Sequence, residues 1–281
     1  MVSAKTVIGI PVYNEIDYLD ETLAALSKVP EQKDILFFIS DNGSDDGSYE
    51  LAEKYATDDN RMHVRQQKTN IGAFANFRYV WEESESDYFM WMGAHDVIDP
   101  SYFGQAVKIF DKDKNKELAY VAPLPYAISN GQKLPGEVEK ARYSFEDARL
   151  TRYLQSVAVL ANCTLFYSMF RRDCLADSAI QNVISNDHII ISHILWHGQI
   201  RYLNAAKYYR RYFKTRRETS DERLTGKKNQ ILQRRDFIAA YVDDFKSLYK
   251  DPGPMEDYLC HKMLHLLEQR YGLQSFETHQ E

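Results

Sequence analysis

Cysteine is scarce: Cys163, Cys174 and Cys260 are the whole complement of a 281-residue chain. Three scattered thiols make neither a disulfide framework nor a cysteine-rich zinc site, and they suit a reducing cytosol. Long apolar runs are missing too. The best candidate, residues 154 to 170, is interrupted by Gln155, Ser156, Asn162, Thr164 and Ser168, short of the ~18 apolar residues that a spanning helix takes. The first six residues run straight into a strand-like segment, without the basic region and apolar stretch of a secretory leader. Positive charge is not in excess: 35 Lys and Arg against 41 Asp and Glu leave a net charge of -6, which argues against a general nucleic-acid binder. Internal repeats and low-complexity tracts are also absent. What is present is a 44% hydrophobic chain, enough for one large domain or a domain with appendages.

The apolar residues alternate between two periods. Val7 to Val12 is a short β-branched run, and a helical period follows from Asp17 to Leu26. Asp34 to Ser40 is a second buried strand, followed by a polar turn and a helix from about Tyr49 to Tyr55. Met62 to Arg65 is a third strand. A helix through Phe74, Phe77 and Trp81 follows, and then a strand at Tyr88 to Met92. Strand–helix alternation predicts an α/β sheet, largely parallel, with helices on both faces. Leu118 to Pro125 and Thr164 to Phe170 read as further strands, residues 129 to 143 as a surface loop or hairpin, and 144 to 160 as a helix capped by Ser144. Asp187 to Trp196 is an apolar helix, and 215 to 228 a basic, polar stretch. Two helices follow, about 229 to 249 and 255 to 271, separated by Asp251-Pro252-Gly253-Pro254.

In open α/β sheets ligands sit beyond the carboxyl ends of the strands. Three polar clusters fall there: Tyr13 to Glu15, Asp41 to Ser48, and His95-Asp96. Each alone is an ordinary turn. Together they line one sheet edge with carboxylates. A carboxylate beside an imidazole at such an edge suits a hard cation and the phosphates that travel with it.

In order and spacing these clusters resemble the motifs of family 2 glycosyltransferases. Ile10-Pro11-Val12-Tyr13-Asn14-Glu15 resembles the opening motif, Ser40 to Ser48 the second, and Asn70-Ile71-Gly72 with Asn76 the third. Tyr88 to Asp96 sits where the family carries a metal-binding acidic motif, and Ser185-Asn186-Asp187 where it carries a Glu-Asp pair opening a helix. The likeness spans roughly residues 6 to 215. It implies a GT-A fold, a nucleotide-sugar donor, Mn²⁺ or Mg²⁺, and inversion at the anomeric carbon. The implied division is a catalytic domain over 1–215 and a C-terminal helical extension over 216–281.

The resemblance also implies roles. Pro11 and Tyr13 wall the base, Glu15 accepts from ribose hydroxyls, and Asp41 accepts from a base N–H, which suits uracil and a UDP-sugar. Asn70 and Gly72 let the backbone approach the nucleotide. Asp96 is the expected metal ligand, although Ala94 stands where the family often has a first acid. His95 serves as a second ligand or donates to phosphate. Asp187 is the expected general base for the acceptor hydroxyl, with Asn186 in place of the usual Glu and His188 shaping the acceptor side. Arg210, Arg211, Arg216 and Arg217 form a basic run suited to phosphate. Apart from the resemblance, the aromatic faces of Tyr208, Tyr209 and Tyr212 suit a carbohydrate acceptor, while most of the twenty tyrosines read as core and interface packing. His193 and His197, four apart, lack a third ligand at fixed spacing and read as structural.

The expected enzyme transfers a sugar to a glycan or lipid-linked glycan in bacterial surface polysaccharide synthesis. It would be cytoplasmic, with peripheral contact at the inner membrane face and pairing through the C-terminal helices left open. A non-catalytic sugar- or partner-binding module, motivated by Ala94 and Asn186, is the alternative. A nucleotidyltransferase ranks below both, because the loop after the first strand is acidic.

Overall fold

The computed structural model describes residues 1–30, 34–213, 220–227 and 232–271. The first half alternates as expected. A short β1 (Val2–Ser3) precedes β2 (Thr6–Val12), α1 (Ile16–Ser27), β3 (Ile35–Asp41), α2 (Ser48–Asp58), β4 (Met62–Gln66), α3 (Ala73–Glu82), β5 (Ser84–Glu85) and β6 (Tyr88–Trp91). Strands β4-β3-β2-β6 lie side by side and parallel. Strand β2 is buried along almost its whole length, as a parallel strand covered on both faces must be. On one face it meets Leu19, Leu23 and Leu26 of α1. On the other it meets Val80 and Trp81 of α3.

The second half is mixed. It contains β7 (Val97–Ile98), α4 (Tyr102–Lys112), β8 (Leu118–Ser129), β9 (Gln132–Lys133), α5 (Arg149–Val159), β10 (Met169–Arg171), α6 (Asn186–His197) and β11 (Gln199–Tyr212). Strand β10 joins the halves by pairing antiparallel to both β6 and β8. Strand β11 runs parallel to β8 and ends against β7. The sheet order is β4-β3-β2-β6-β10-β8-β11-β7, with β9 hairpinned onto β8. This is the expected α/β architecture with helices on both faces.

Several boundaries differ from the sequence expectation. Strand β8 continues past Pro125 to Ser129, because β11 pairs with it residue by residue to Tyr212. Helix α5 starts at Arg149, not near Ser144. The run 164–170 splits into a 3-10 turn at Cys163–Tyr167 and the three-residue β10.

The C-terminal part holds α7 (Ser220–Thr225), α8 (Arg234–Leu248) and α9 (Pro254–Tyr271). Helices α8 and α9 share a core with α5 and α6: Phe237, Tyr241, Phe245, Met263 and Leu267 pack with Tyr153, Val157, Ile189 and Trp196. Among the described residues, no helix is long and apolar enough to cross a membrane.

Candidate functional site

Strands β2, β3 and β6 are parallel neighbours, so their carboxyl ends share one edge, and the expected polar clusters meet there. The loop after β3 is laced to the loop after β2. Asn14 N–H donates to Ser44 Oγ at 2.9 Å, Glu15 N–H to Ser48 Oγ at 3.0 Å, and Ile16 N–H to Asp46 Oδ2 at 3.0 Å. Asp46 also accepts from Ser48 N–H at 2.9 Å, so one carboxylate serves the first turns of both α1 and α2. Those bonds lower its pKa, against a burial effect that acts the other way.

Asp41 sits inside this frame with no exposed surface. Its Oδ2 accepts from the N–H groups of Gly43 at 3.1 Å and Ser44 at 3.0 Å, and from Gln66 Nε2 at 3.3 Å. Among the described residues its Oδ1 is buried without a hydrogen-bond partner. Buried polar atoms are nearly always paired, so an orphaned carboxylate oxygen at a strand end marks a place for a ligand's donor. Asn42 and Asn70 tie the neighbouring turns together: Asn42 Nδ2 donates to Asn70 Oδ1 at 3.0 Å, and Asn42 Oδ1 accepts from Ile71 N–H at 2.9 Å.

Gly72 has φ of +87°, and a Cβ there would stand 2.5 Å from the carbonyl carbon of Thr225. The backbone approach that the sequence assigns to a nucleotide is made here by the C-terminal end of α7, at Thr225 and Gly226.

The turn after β6 is organised around Asp96, which is 1% exposed. Its Oδ2 accepts from the Tyr208 hydroxyl at 2.7 Å and its Oδ1 from Arg211 N–H at 2.6 Å. A Cβ at Gly93 would come within 2.6 Å of Oδ2, so the turn admits no side chain at 93. Burial pushes the Asp96 carboxyl pKa up, opposed by His95, the Arg211 N–H, the Tyr208 hydroxyl and Arg210.

This carboxylate does not fit the expected divalent ion. Asp96 is 1% exposed and each carboxylate oxygen already faces an internal donor, whereas a six-coordinate Mg²⁺ needs oxygens that can reach it. His95 is turned to Glu15 instead, Nδ1 to Oε1 at 2.8 Å, with the two side chains 18% and 16% exposed. Arg211 is spent as well: Nε donates to His95 O at 2.8 Å, one terminal nitrogen pairs with Glu21 at 2.6 Å, and the guanidinium lies 4.6 Å from the Tyr18 ring centroid. That correction replaces its expected phosphate contact with a structural role. Arg216 and Arg217 lie outside the described residues.

Asp187 occupies the first turn of α6, after Ser185 with φ of +52°. A non-glycine residue with positive φ is uncommon and costs conformational energy. Asn186 is 6% exposed and structural: it accepts from Gln181 N–H at 2.9 Å and donates to Ala179 O at 3.2 Å. Cys163 Sγ, an Asp187 oxygen and a His188 ring nitrogen lie within 4.8 Å of one another. A thiol is a poor ligand for Mn²⁺ or Mg²⁺, and burial, with Asp187 beside it, pushes the Cys163 thiol well up.

His188 is 8% exposed, held by the Tyr271 hydroxyl at Nδ1 (3.0 Å) and by the Tyr241 hydroxyl at its carbonyl (3.2 Å). His193 is a core residue: Nε2 accepts from Ala176 N–H at 3.3 Å, which leaves Nδ1 to donate to Asp244 at 2.7 Å.

The structure therefore brings Pro11, Tyr13, Glu15, Asp41, Asn70 and His95 to one sheet edge. Tyr208 and Arg211, whose contacts sequence reasoning missed, lock the Asp96 turn. Tyr241 and Tyr271, also missed, reach α6 from the C-terminal helices. Strand alternation in β11 sends Tyr208 and Arg210 to one face and Arg211 to the other, but tyrosine and arginine fall on both faces, so no apolar period marks it in the sequence.

The sequence profile of Glycosyl transferase family 2 matches residues 7–177. An uncharacterized glycosyltransferase of Rickettsia typhi is 23% identical over 177 residues, which cover 62% of this chain and 54% of that protein. One of Rickettsia felis is 30% identical over 112 residues, covering 39% of this chain and 18% of that protein. The chain thus spans about half the length of the first of these relatives. Among solved structures, S. aureus TarS 1-349 in complex with UDP-GlcNAc superposes with a TM-score of 0.64 at 17% identity, covering 98% of this chain and 74% of that one. Its complex with UDP gives 0.63 at 16% identity, covering 96% and 72%. At these identities the likeness is one of fold.

Proposed function

The chain belongs to glycosyl transferase family 2, and from that premise we propose that it moves a sugar from a uridine diphosphate donor to a hydroxyl of a glycan or lipid-linked glycan, with inversion. The observation that carries this reading is Asp41 Oδ1, buried at the strand end with no partner among the described residues. An unsatisfied buried acceptor costs about 1–3 kcal/mol, and a uracil N3–H would satisfy it. The UDP-GlcNAc and UDP complexes of TarS support a uridine donor on this fold. Pro11 and Tyr13 would flank the base, Glu15 would accept from ribose, and Asn70 would hold the adjoining turn. His95, fixed by Glu15, would face the phosphates.

On the acceptor side Asp187 takes the proton as the acceptor oxygen attacks the anomeric carbon. The bond from that carbon to the diphosphate breaks, and its electron pair leaves with the diphosphate. His188 would support the wall behind Asp187. A place in bacterial surface polysaccharide synthesis, at the inner face of the cytoplasmic membrane, rests on family analogy.

The test is ³¹P NMR of the full chain incubated with UDP-, GDP-, CDP- and dTDP-sugars, with water or a glycan as acceptor. UDP release is expected from a UDP-sugar and not with Asp187→Asn. A chain that consumes none of these donors would refute the reading.

A further inference from the structure

Arg210 lies on the face of β11 that carries Tyr208 and Tyr212. Its neighbours on that face are Tyr208, Tyr212, Tyr167 and Asn162. Its guanidinium carries five N–H donors. Among the described residues it makes one hydrogen bond, from a terminal nitrogen to Asn162 Oδ1 at 3.3 Å. Its plane is held by aromatic rings, 5.6 Å from the Tyr167 centroid and 5.7 Å from that of Tyr212. Rings orient a guanidinium without using its donors. The group is thus positioned but largely unspent, unlike Arg211 beside it.

Its electrostatic surroundings point the same way. Burial works against its charge, yet Tyr167, Tyr212, Asp96 and Asp187 more than offset this and hold its pKa above the ordinary arginine range. Geometry links it to the turn after β6: the Tyr167 ring beneath it stacks on Tyr208, whose hydroxyl donates to Asp96. Asp96 is 1% exposed, with one internal donor on each oxygen, from Tyr208 and Arg211.

Resting on the glycosyl-transfer reading, we propose that Arg210 is the cation that neutralises the leaving diphosphate, in place of a divalent ion on Asp96. A planar fork matches two phosphate oxygens at once. As the anomeric C–O bond breaks, its electron pair goes to the diphosphate oxygen and the acceptor's proton to Asp187. Arg210 gains and loses no proton; it binds the developing charge. Asp96 acts through Tyr208 and the Arg211 N–H to fix the strand that carries Arg210.

The test is calorimetric titration of the full chain with UDP and with uridine, in EDTA and in Mn²⁺, for wild type, Arg210→Gln and Arg210→Lys. Wild-type UDP affinity is expected to agree within about twofold in EDTA and Mn²⁺. Arg210→Gln is expected to weaken UDP roughly ten- to hundredfold, the value of lost hydrogen bonds to a charged group, with uridine unchanged and Arg210→Lys intermediate. Tightening of UDP by Mn²⁺ more than tenfold would overturn the proposal, and this arm needs no variant. So would equal losses for UDP and uridine in Arg210→Gln. If uridine and UDP both fail to bind wild type, the uridine-donor reading falls, and this assignment with it.

Discussion

Tyr208 donates its hydroxyl to Oδ2 of Asp96 at 2.7 Å, joining residues 112 positions apart. The same hydroxyl accepts from Gly93 N–H at 3.2 Å, so one phenol closes the turn that follows β6. Tyr208→Phe keeps the ring stacked on Tyr167 but leaves a buried carboxylate oxygen and an N–H unpaired. The expected loss is about 1–3 kcal/mol, read as a lower urea midpoint at unchanged m-value.

Asp187→Asn should separate chemistry from binding. Removing a positioned general base slows a reaction by about a hundred- to ten-thousandfold. Turnover should fall by that much while uridine nucleotide affinity, measured by calorimetry, stays within about twofold. A parallel loss of affinity would place Asp187 in the donor pocket instead.

The site residues differ in how far the sequence reveals them. Glu15 and Asp41 stand at the ends of clear strands and Asp187 opens a clear helix, so period and position put the first two at the carboxyl edge of the sheet and the third at a helix start. Asp96 was placed correctly, but its surroundings were not legible. Its partners come from β11, whose burial pattern shows no clean alternation over most of its length. A strand carrying tyrosine and arginine on both faces hides its period. The short β7 and β10 were invisible for a different reason: two or three residues carry no period at all. Gly72 reads in sequence as a nucleotide contact, because no local signal announces that the chain returns at Thr225 some 150 residues later.

Gly72→Ala should loosen that return. The added Cβ would meet backbone at 2.5 Å, at a φ of +87° that alanine rarely adopts. Such strain costs on the order of 1–3 kcal/mol, and it falls on the contact with Thr225 and Gly226. Faster amide exchange over 220–227 is expected by hydrogen-exchange mass spectrometry. Unchanged exchange there would remove the contact from the account.

His188 sets a pH dependence. Its burial lowers the imidazole pKa, with Arg270 acting the same way and Asp187 opposing. In the unfolded chain the ring takes up a proton as pH falls through about 6.5, while the folded ring stays neutral. Stability is therefore expected to fall as pH drops below about 6.5, and this contribution levels off once pH passes the folded pKa. Urea midpoints from pH 7.5 to 5 should show a shallower decline in His188→Gln than in wild type.

The unpaired oxygen of Asp41 gives the most direct measurement. In Asp41→Asn the amide oxygen keeps the three donors now on Oδ2, so the amide NH₂ takes the place of Oδ1. That exchanges an acceptor for a donor. Uracil presents N3–H, a donor, whereas cytosine presents N3 as an acceptor. The expected result, by calorimetry, is a wild-type preference for UDP over CDP that falls roughly tenfold or more in Asp41→Asn, about 1.4 kcal/mol per decade. A UDP-to-CDP affinity ratio that is the same in both proteins would contradict Asp41 as the residue that reads the base.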